Sequence, residues 1–419
     1  MQWKGVGEME EKQGINYLRK KSELYRLGAL KRNKYYNAKD IEINKGITIP
    51  LELRAMYRTS LGWCGKAVDS IADRLVFREL ANDNFGISEI FQMNSQDILI
   101  DDAILSALIN SVSFIYISMG DEGMPRLQVI SGADATGILD PTTRLLKEGY
   151  AVLSRNKYKQ AKEELHFLPY RTDYYVDGKY VSSEHHKVAY PLLVPIIHRP
   201  DAEKPFGRSR ITRSAMAHQK YAKRTIERSD VTAEFYSFPQ KYVLGMDSDA
   251  EAWDNWKATV ASMLRIDAGK DGKTPSVGQF STSSMSPFTE QLRTAAALFA
   301  GETGLTLDDL GFVSDNPSSA EAIKASHETL RLQAEKAKRD FSSGILNTGY
   351  LAACLRDNYP YLRQSIFETE VKWEPIFKPD ASTISLIGDG AIKINQAIPD
   401  YFGPNNLRDL TGIEGENNA

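Results

Sequence analysis

PFGRSRITRSAMAHQKYAKRTIERSDVTAEFYSFPQKYVLG, residues 205–245, is the stretch on which the reading of this chain turns. A proline-punctuated connector, HRPDAEKPFG (198–207), leads into it. From 210 to 236 neither proline nor glycine interrupts, which predicts one helix ended by Pro239. At the α-helical rise that helix is roughly 40 Å long. Its start carries Arg208, Arg210 and Arg213. Helix starts favour acids, because their unpaired N–H groups hold partial positive charge. Three arginines there call for a partner outside the helix.

Upstream, residues 9–36 space Ile15, Leu18, Leu24, Leu27 and Leu30 at a helical period, and Leu53 through Leu75 and 95–109 continue in that manner. The character changes at 110–200. SFIYIS, RLQVIS, GYAVLSR, ELHFLPY and TDYYVDGKYV are short β-rich runs, and Asp177-Gly178 suits a two-residue hairpin turn. Downstream lie a possible strand QKYVLG, an amphipathic stretch AEAWDNWKATVASML and the polar GKDGKTPSVGQFSTSSMS. An alanine-rich helix (287–300) follows, then the irregular GETGLTLDDLGFVSDNPSSA. A helix from about 319 to 356 is predicted next, its start marked by Pro317 and a Ser318/Glu321 capping box. Residues 370–380 read as extended and 380–415 as a smaller helical tail. The sum is an α+β chain, mainly helical, without internal repeats.

Composition bounds the function. With 419 residues, 26% charged and 42% hydrophobic, the chain is ordinary globular material. A net charge of −3 argues against coating nucleic acid by bulk attraction. Cys64 and Cys354 lack any metal spacing, so neither a disulfide framework nor a zinc site is expected, and a reducing compartment fits. MQWKGVGEMEEKQG has no apolar core of a leader, and the most apolar run, LLVPII (192–197), is too short to cross a bilayer. No membrane partner is expected.

Local chemical motifs fail on spacing. GKDGKT (269–274) ends as a phosphate loop does, but Asp267 stands where the first glycine is required. DSDAE (247–251) spaces acids like a calcium loop, yet Ala252 and Ala258 occupy the glycine and bidentate-glutamate positions. The adjacent His185 and His186 lack the i, i+4 spacing of a helical metal pair. No catalytic, cofactor or metal residue is singled out. Charge layout says more. Lys204 to Lys241 holds nine Lys or Arg against Glu227, Asp230 and Glu234, whereas Thr294 to Ile323 holds no cation and five acids: Glu302, Asp308, Asp309, Asp315 and Glu321.

Three stretches, with the order of the elements joining them, resemble the tailed-bacteriophage portal proteins, the ring at the capsid vertex through which DNA enters and leaves. They are NAKDIEINKG with the helix through CGKAVDSIADRL (64–75), the opening stretch, and GLTLDDLGFVSDNPSSAEAIKASHETLRLQAEKAKRDF (304–341). The resemblance covers roughly 20–360 and implies a homo-oligomeric ring, with dodecamers typical. It projects residues 1–204 and 319–379 as wing, 205–237 and 287–302 as stem helices, 238–286 as clip, 303–318 as tunnel loop and 380–419 as a small crown. Implied partners are double-stranded DNA bound without sequence preference, the terminase large subunit, a head-tail adaptor, and major capsid and scaffolding proteins. The implied place is the virion, after synthesis in host cytoplasm, and no enzymatic activity is implied.

Twelve helices about 10 Å apart make a circle roughly 38 Å across and leave a bore of about 28 Å, wide enough for a duplex roughly 20 Å wide. A conduit must not grip its cargo, so Leu307, Asp308, Asp309 and Asp315 are expected at the tunnel loop. Arg208, Arg210, Arg213, Lys220, Arg224 and Arg228 are assigned to the stem and subunit interface. For the three arginines, subunit contact, lumen and solvent all stay open. Trp253, Trp256, Lys270 and Lys273 are assigned to clip docking, against a core role for the tryptophans. Two competing readings are a nucleic-acid-processing enzyme holding magnesium on Asp308, Asp309 and Asp315, and a capsid adaptor without a channel.

Overall fold

The computed structural model describes residues 12–40, 59–120, 122–237, 241–244, 276–279, 284–312 and 320–413. Ser318 of the expected capping box and the motifs GKDGKT and DSDAE lie outside these described residues.

Helices lead. They are α1 (Ile15–Tyr36), α2 (Trp63–Ala72), α3 (Ile87–Met93) and α4 (Gln96–Asn110), with a strand β1 (Phe77–Ala81) between the second and third. The β region then holds β2 (Val112–Met119), β3 (Pro125–Ser131), β4 (Ala135–Leu139), β5 (Leu146–Arg155), β6 (Ala161–Leu168), β7 (Arg171–Val176), β8 (Lys179–His185) and β9 (Leu193–Ile197). Next come α5 (Arg213–Ser237), β10 (Lys241–Leu244), β11 (Ser276–Gln279) and α6 (Ser286–Thr303). The chain closes with α7 (Ala320–Ser326), α8 (Glu328–Arg356), β12 (Glu370–Trp373), α9 (Ala381–Ala397) and α10 (Pro404–Thr411). The α+β class holds.

The β region forms two antiparallel sheets. One is five-stranded in the order β4-β5-β6-β7-β8 and the other three-stranded in the order β3-β2-β9. Sequence neighbours pair because short turns join them. Val176 faces Lys179 across Asp177 and Gly178, whose φ angles of 47° and 76° are both positive, the backbone a type I′ hairpin needs. The apolar run 192–197 becomes β9, with Leu193, Val194, Ile196 and Ile197 all buried. Both of its faces are covered, by α4 and by α8, which explains the lack of polar alternation.

Helix α1 lies on the larger sheet. Leu18 packs with Tyr150 and Val152, and Arg19 donates from Nε and Nη2 to Glu164 at 2.9 Å each. Tyr150 donates its hydroxyl to the same carboxylate. The helix expected from the spacing of Leu24 and Leu27 forms, yet both are exposed, because the buried positions are Leu18, Ser22, Ala29 and Tyr35.

Two departures from the predicted elements concern the long C-terminal helix and the ends of the chain. The helix expected from 319 to 356 divides at His327, whose Nδ1 lies 2.9 Å from the Ile323 carbonyl and whose ring meets Phe377. Strand β1, between two stretches read as helical, pairs with β12 nearly 300 residues on; Phe77 stacks edge-on to Trp373 at 6.1 Å. Helix α10 is tied to that ribbon by Arg408–Glu79 at 3.2 Å and Lys372–Asp409 at 3.4 Å.

Candidate functional site

The expected stem is a helical hairpin. Helix α5 leads into β10, β10 pairs antiparallel with β11, and α6 returns against α5. The packed side uses small residues: Ala215, Ala222, Ala295, Ala296 and Ala300 are buried, with Phe299 filling the space against Trp63 at 5.4 Å. Close approach of two helices requires such short side chains.

The connector before α5 is pinned at each residue. Arg208 N–H donates to the His198 carbonyl at 2.9 Å and Arg210 N–H to Leu108 at 2.8 Å. Ser209 Oγ donates to Ile109 at 2.6 Å. Gly207 has φ +74°, and a Cβ there would stand 2.1 Å from the His198 carbonyl oxygen. Only glycine fits this backbone and this approach. His198, fully enclosed, bonds the Arg208 carbonyl through Nδ1 at 2.7 Å and stacks on Phe341. Burial, with the cations Arg210, Arg199 and Lys336 nearby, pushes its pKa down to about 3 against the hydrogen bond to Arg208.

Arg210 is 5% exposed, and its guanidinium is spent inside the chain. Nε donates to Ala67 O at 3.0 Å, Nη1 to the Gln333 side chain and Nη2 to Thr303 O. It thereby ties α2, the end of α6 and α8 at the root of the hairpin. Desolvation first, then repulsion from Arg199, lowers its pKa to about 10 against the pull of Glu302. The expectation placed Arg210 at a subunit interface; within its own chain the side chain is buried and bonded to three elements. Arg208 pairs with Asp201 of its own connector, Nε to Oδ2 at 2.7 Å.

The remaining cations differ. Arg213, Lys220, Arg224 and Arg228 are exposed on α5. At 100° per residue these positions fall within one stripe about 80° wide. Lys223, half-buried on another side, binds Asp40 through the carbonyl at 2.7 Å and the carboxylate at 3.1 Å. Arg32 has its pKa lowered by burial and then by Arg213, so two like charges meet at the start of the stripe.

Past α6, the described part of the acidic segment is a packed turn. Leu305 is buried, Leu307, Leu310 and Phe312 rest against the core, and Asp308–Leu310 form a 3-10 turn. Asp308 is exposed. Asp309 is committed: its Oδ2 accepts from Thr306 N at 2.9 Å and Thr306 Oγ1 at 3.0 Å and lies 3.4 Å from His327 Nε2. Burial raises its pKa, but the Thr306 bonds and His327 prevail and hold it below the usual carboxylate value. Among the described residues no group of three His, Cys, Asp or Glu gathers as a metal site. Asp315, Trp253, Trp256, Lys270 and Lys273 lie outside the described residues. Reading the sequence alone missed Gln333, Thr303 and Ala67 as partners of Arg210, since nothing local links positions so far apart.

The chain is 25% identical over 322 residues to the portal protein of Mycobacterium phage L5, covering 72% of this chain and 66% of that protein. It is equally identical over 327 residues to the portal protein of Mycobacterium phage D29, covering 73% and 67%. The chain is similar in sequence to phage portal proteins. The match spans about two thirds of those proteins' own length. No protein-family model matches the chain. Among solved structures it is similar to a chain of the neck of a native gene transfer agent (GTA) particle computed with C12 symmetry, with a TM-score of 0.45, 13% identity and 91% and 98% of the two chains covered. A chain of the empty particle's neck, computed with C6 symmetry, has a TM-score of 0.47 at the same identity, covering 90% and 98%.

Proposed function

We propose that copies of this chain close into a ring at a capsid vertex and form the conduit for double-stranded DNA during packaging and ejection, about twelve copies to the ring. The observation that carries this reading is the match, over 72% of the chain, to a protein named as a portal. The α5–α6 hairpin supports it: a rigid rod, locked at its base by Arg210, with cations displayed along one side. Such rods side by side line a bore of the right width for a duplex. In the proposed division, 1–204 and 319–379 form the wing, 205–237 and 287–302 the stem, 238–286 the clip, 303–318 the tunnel loop and 380–419 the crown.

The stripe of Arg213, Lys220, Arg224 and Arg228 faces carboxylates of the adjacent stem or, transiently, the phosphates of passing DNA. The like-charge approach of Arg32 and Arg213 is relieved in either setting. Asp308 stands at or beside the narrowest point and repels phosphate. The clip, with Trp253, Trp256, Lys270 and Lys273, docks the terminase large subunit and later the head-tail adaptor, and the ring's outside meets capsid and scaffolding proteins. Motor energy is supplied by a separate ATPase.

Gel filtration with negative-stain imaging of the purified full chain tests the reading. A ring of several hundred kilodaltons with an open centre supports it. A monomer with magnesium-dependent nuclease activity overturns it in favour of the enzyme reading, and a closed oligomer without a hole favours an adaptor.

A further inference from the structure

Helix α1 presents an exposed face with an apolar centre. Leu24 and Leu27, 73% and 72% exposed, point away from the buried stripe of Leu18, Ser22, Ala29 and Tyr35. Lys20, Lys31 and Lys34 are exposed on the same side. Positions 20, 24, 27, 31 and 34 share a stripe about 80° wide and roughly 20 Å long. Glu23, at its edge, is drawn to Arg155 at 3.2 Å, so the stripe itself is basic around an apolar centre.

A second face has the same plan with the opposite sign. At the end of α3 and the start of α4, Met93 and Ile98 are 56% and 67% exposed. Asp97 adjoins Ile98 and Asp101 and Asp102 stand one helical turn on, all exposed, with Asp73 near Asp101. These carboxylates are close enough to interact: after burial, it is Asp97, Asp102 and Asp73 that push the Asp101 carboxyl up. A cation brought here relieves that repulsion.

The two faces belong to helices packed on each other. Asn33 on α1 donates to Asn110 Oδ1 at the end of α4 at 3.0 Å, and α1 packs on α4 through other sides. Since both faces are open to solvent within one chain, they can meet only between chains. Pairing α1 with α1 would oppose three lysines to three lysines, and pairing α4 with α4 would oppose aspartates. Both symmetric contacts are penalised by charge, and only the head-to-tail contact matches sign and places apolar centre on apolar centre.

We propose that the Leu24–Leu27 face of α1 docks on the Met93–Ile98 face of α3 and α4 of a second copy of this chain, a heterologous contact that propagates around the ring. The proposal rests on the ring reading above and adds to it the pair of surfaces that meet.

The test uses the full chain in sedimentation velocity and mass photometry. Two charge-reversed variants are made, Lys20→Glu/Lys31→Glu/Lys34→Glu and Asp97→Lys/Asp101→Lys/Asp102→Lys, with Leu24→Ser/Leu27→Ser as a third. All positions are exposed, so thermal unfolding checks that each variant folds. Each alone is expected to raise the concentration needed for assembly at least about tenfold. An equimolar mixture of the two charge variants, in which every contact regains opposite signs, is expected to assemble within about threefold of the natural chain. Assembly of both charge variants as efficiently as the natural chain overturns this contact while leaving the ring intact. A natural chain that never assembles overturns contact and ring together.

Discussion

The Nε of Arg210 donates to the backbone carbonyl of Ala67 across 3.0 Å, although 143 residues separate them. Two further bonds from the same guanidinium, to Gln333 and Thr303, make it the fastening of the helical hairpin to the body. A planar fork of five donors suits three acceptors on three elements, where an ammonium does not. Arg210→Met is expected to remove the side-chain donor to the Thr303 carbonyl and one of the two to the Ala67 carbonyl, which keeps Ser70 Oγ, and to cost about 3 kcal/mol. Arg210→Lys should recover only part. Chemical unfolding of the full chain, both variants beside the natural one, checks the order.

Gly207 is expected to tolerate no side chain. Its φ of +74° and the 2.1 Å approach of the His198 carbonyl to a Cβ there mean that Gly207→Ala must displace the connector before α5. A loss of about 2 kcal/mol or more in stability is predicted, measured by thermal unfolding. An alanine variant as stable as the natural chain would contradict the connector geometry.

His198 makes stability depend on pH. Its folded pKa of about 3 lies below the value of 6.5 for a free imidazole. As pH falls, the unfolded chain therefore takes the proton first. This contribution is fully present above about pH 6.5 and is lost as pH falls toward 3, by up to about 1.4 kcal/mol per pH unit. Unfolding free energies measured between pH 7 and pH 5 should decline less steeply for His198→Gln than for the natural chain. Equal slopes would contradict the assignment.

Asp308 and Asp309 are adjacent but are expected to fail differently. Asp309 caps its turn through Thr306 and leans on His327, so Asp309→Ala should cost about 1–2 kcal/mol of stability. Among the described residues the exposed Asp308 side chain makes no such bonds. Asp308→Lys should leave the unfolding temperature within error and reduce the amount of DNA packaged, read by protection from nuclease. Unchanged packaging would count against a place for Asp308 on the DNA path.

Local chemistry made part of the fold legible. Asp177-Gly178 announced its hairpin because two residues with positive φ suffice to specify the turn, and FGRSRI before a proline-free run announced the hairpin's first helix. Long-range pairing was illegible. Nothing near Phe77 says that Trp373 will lie beside it, and nothing near Arg210 names Thr303 or Gln333. The arginines that prompted an outside explanation proved the sharpest lesson. Charge alone could not separate Arg210, turned inward onto carbonyls, from Arg213 three residues on, which is exposed. Leu24 and Leu27 obey the helical period and still lie outside, because periodicity marks a face without saying whether that face meets the chain's own core.

The central claim is annular assembly, and negative-stain images of the purified full chain viewed down the particle axis test it most directly. The account predicts rings with an open centre wide enough for duplex DNA. Single chains that persist at high protein concentration, with no open centre in any view, would contradict it.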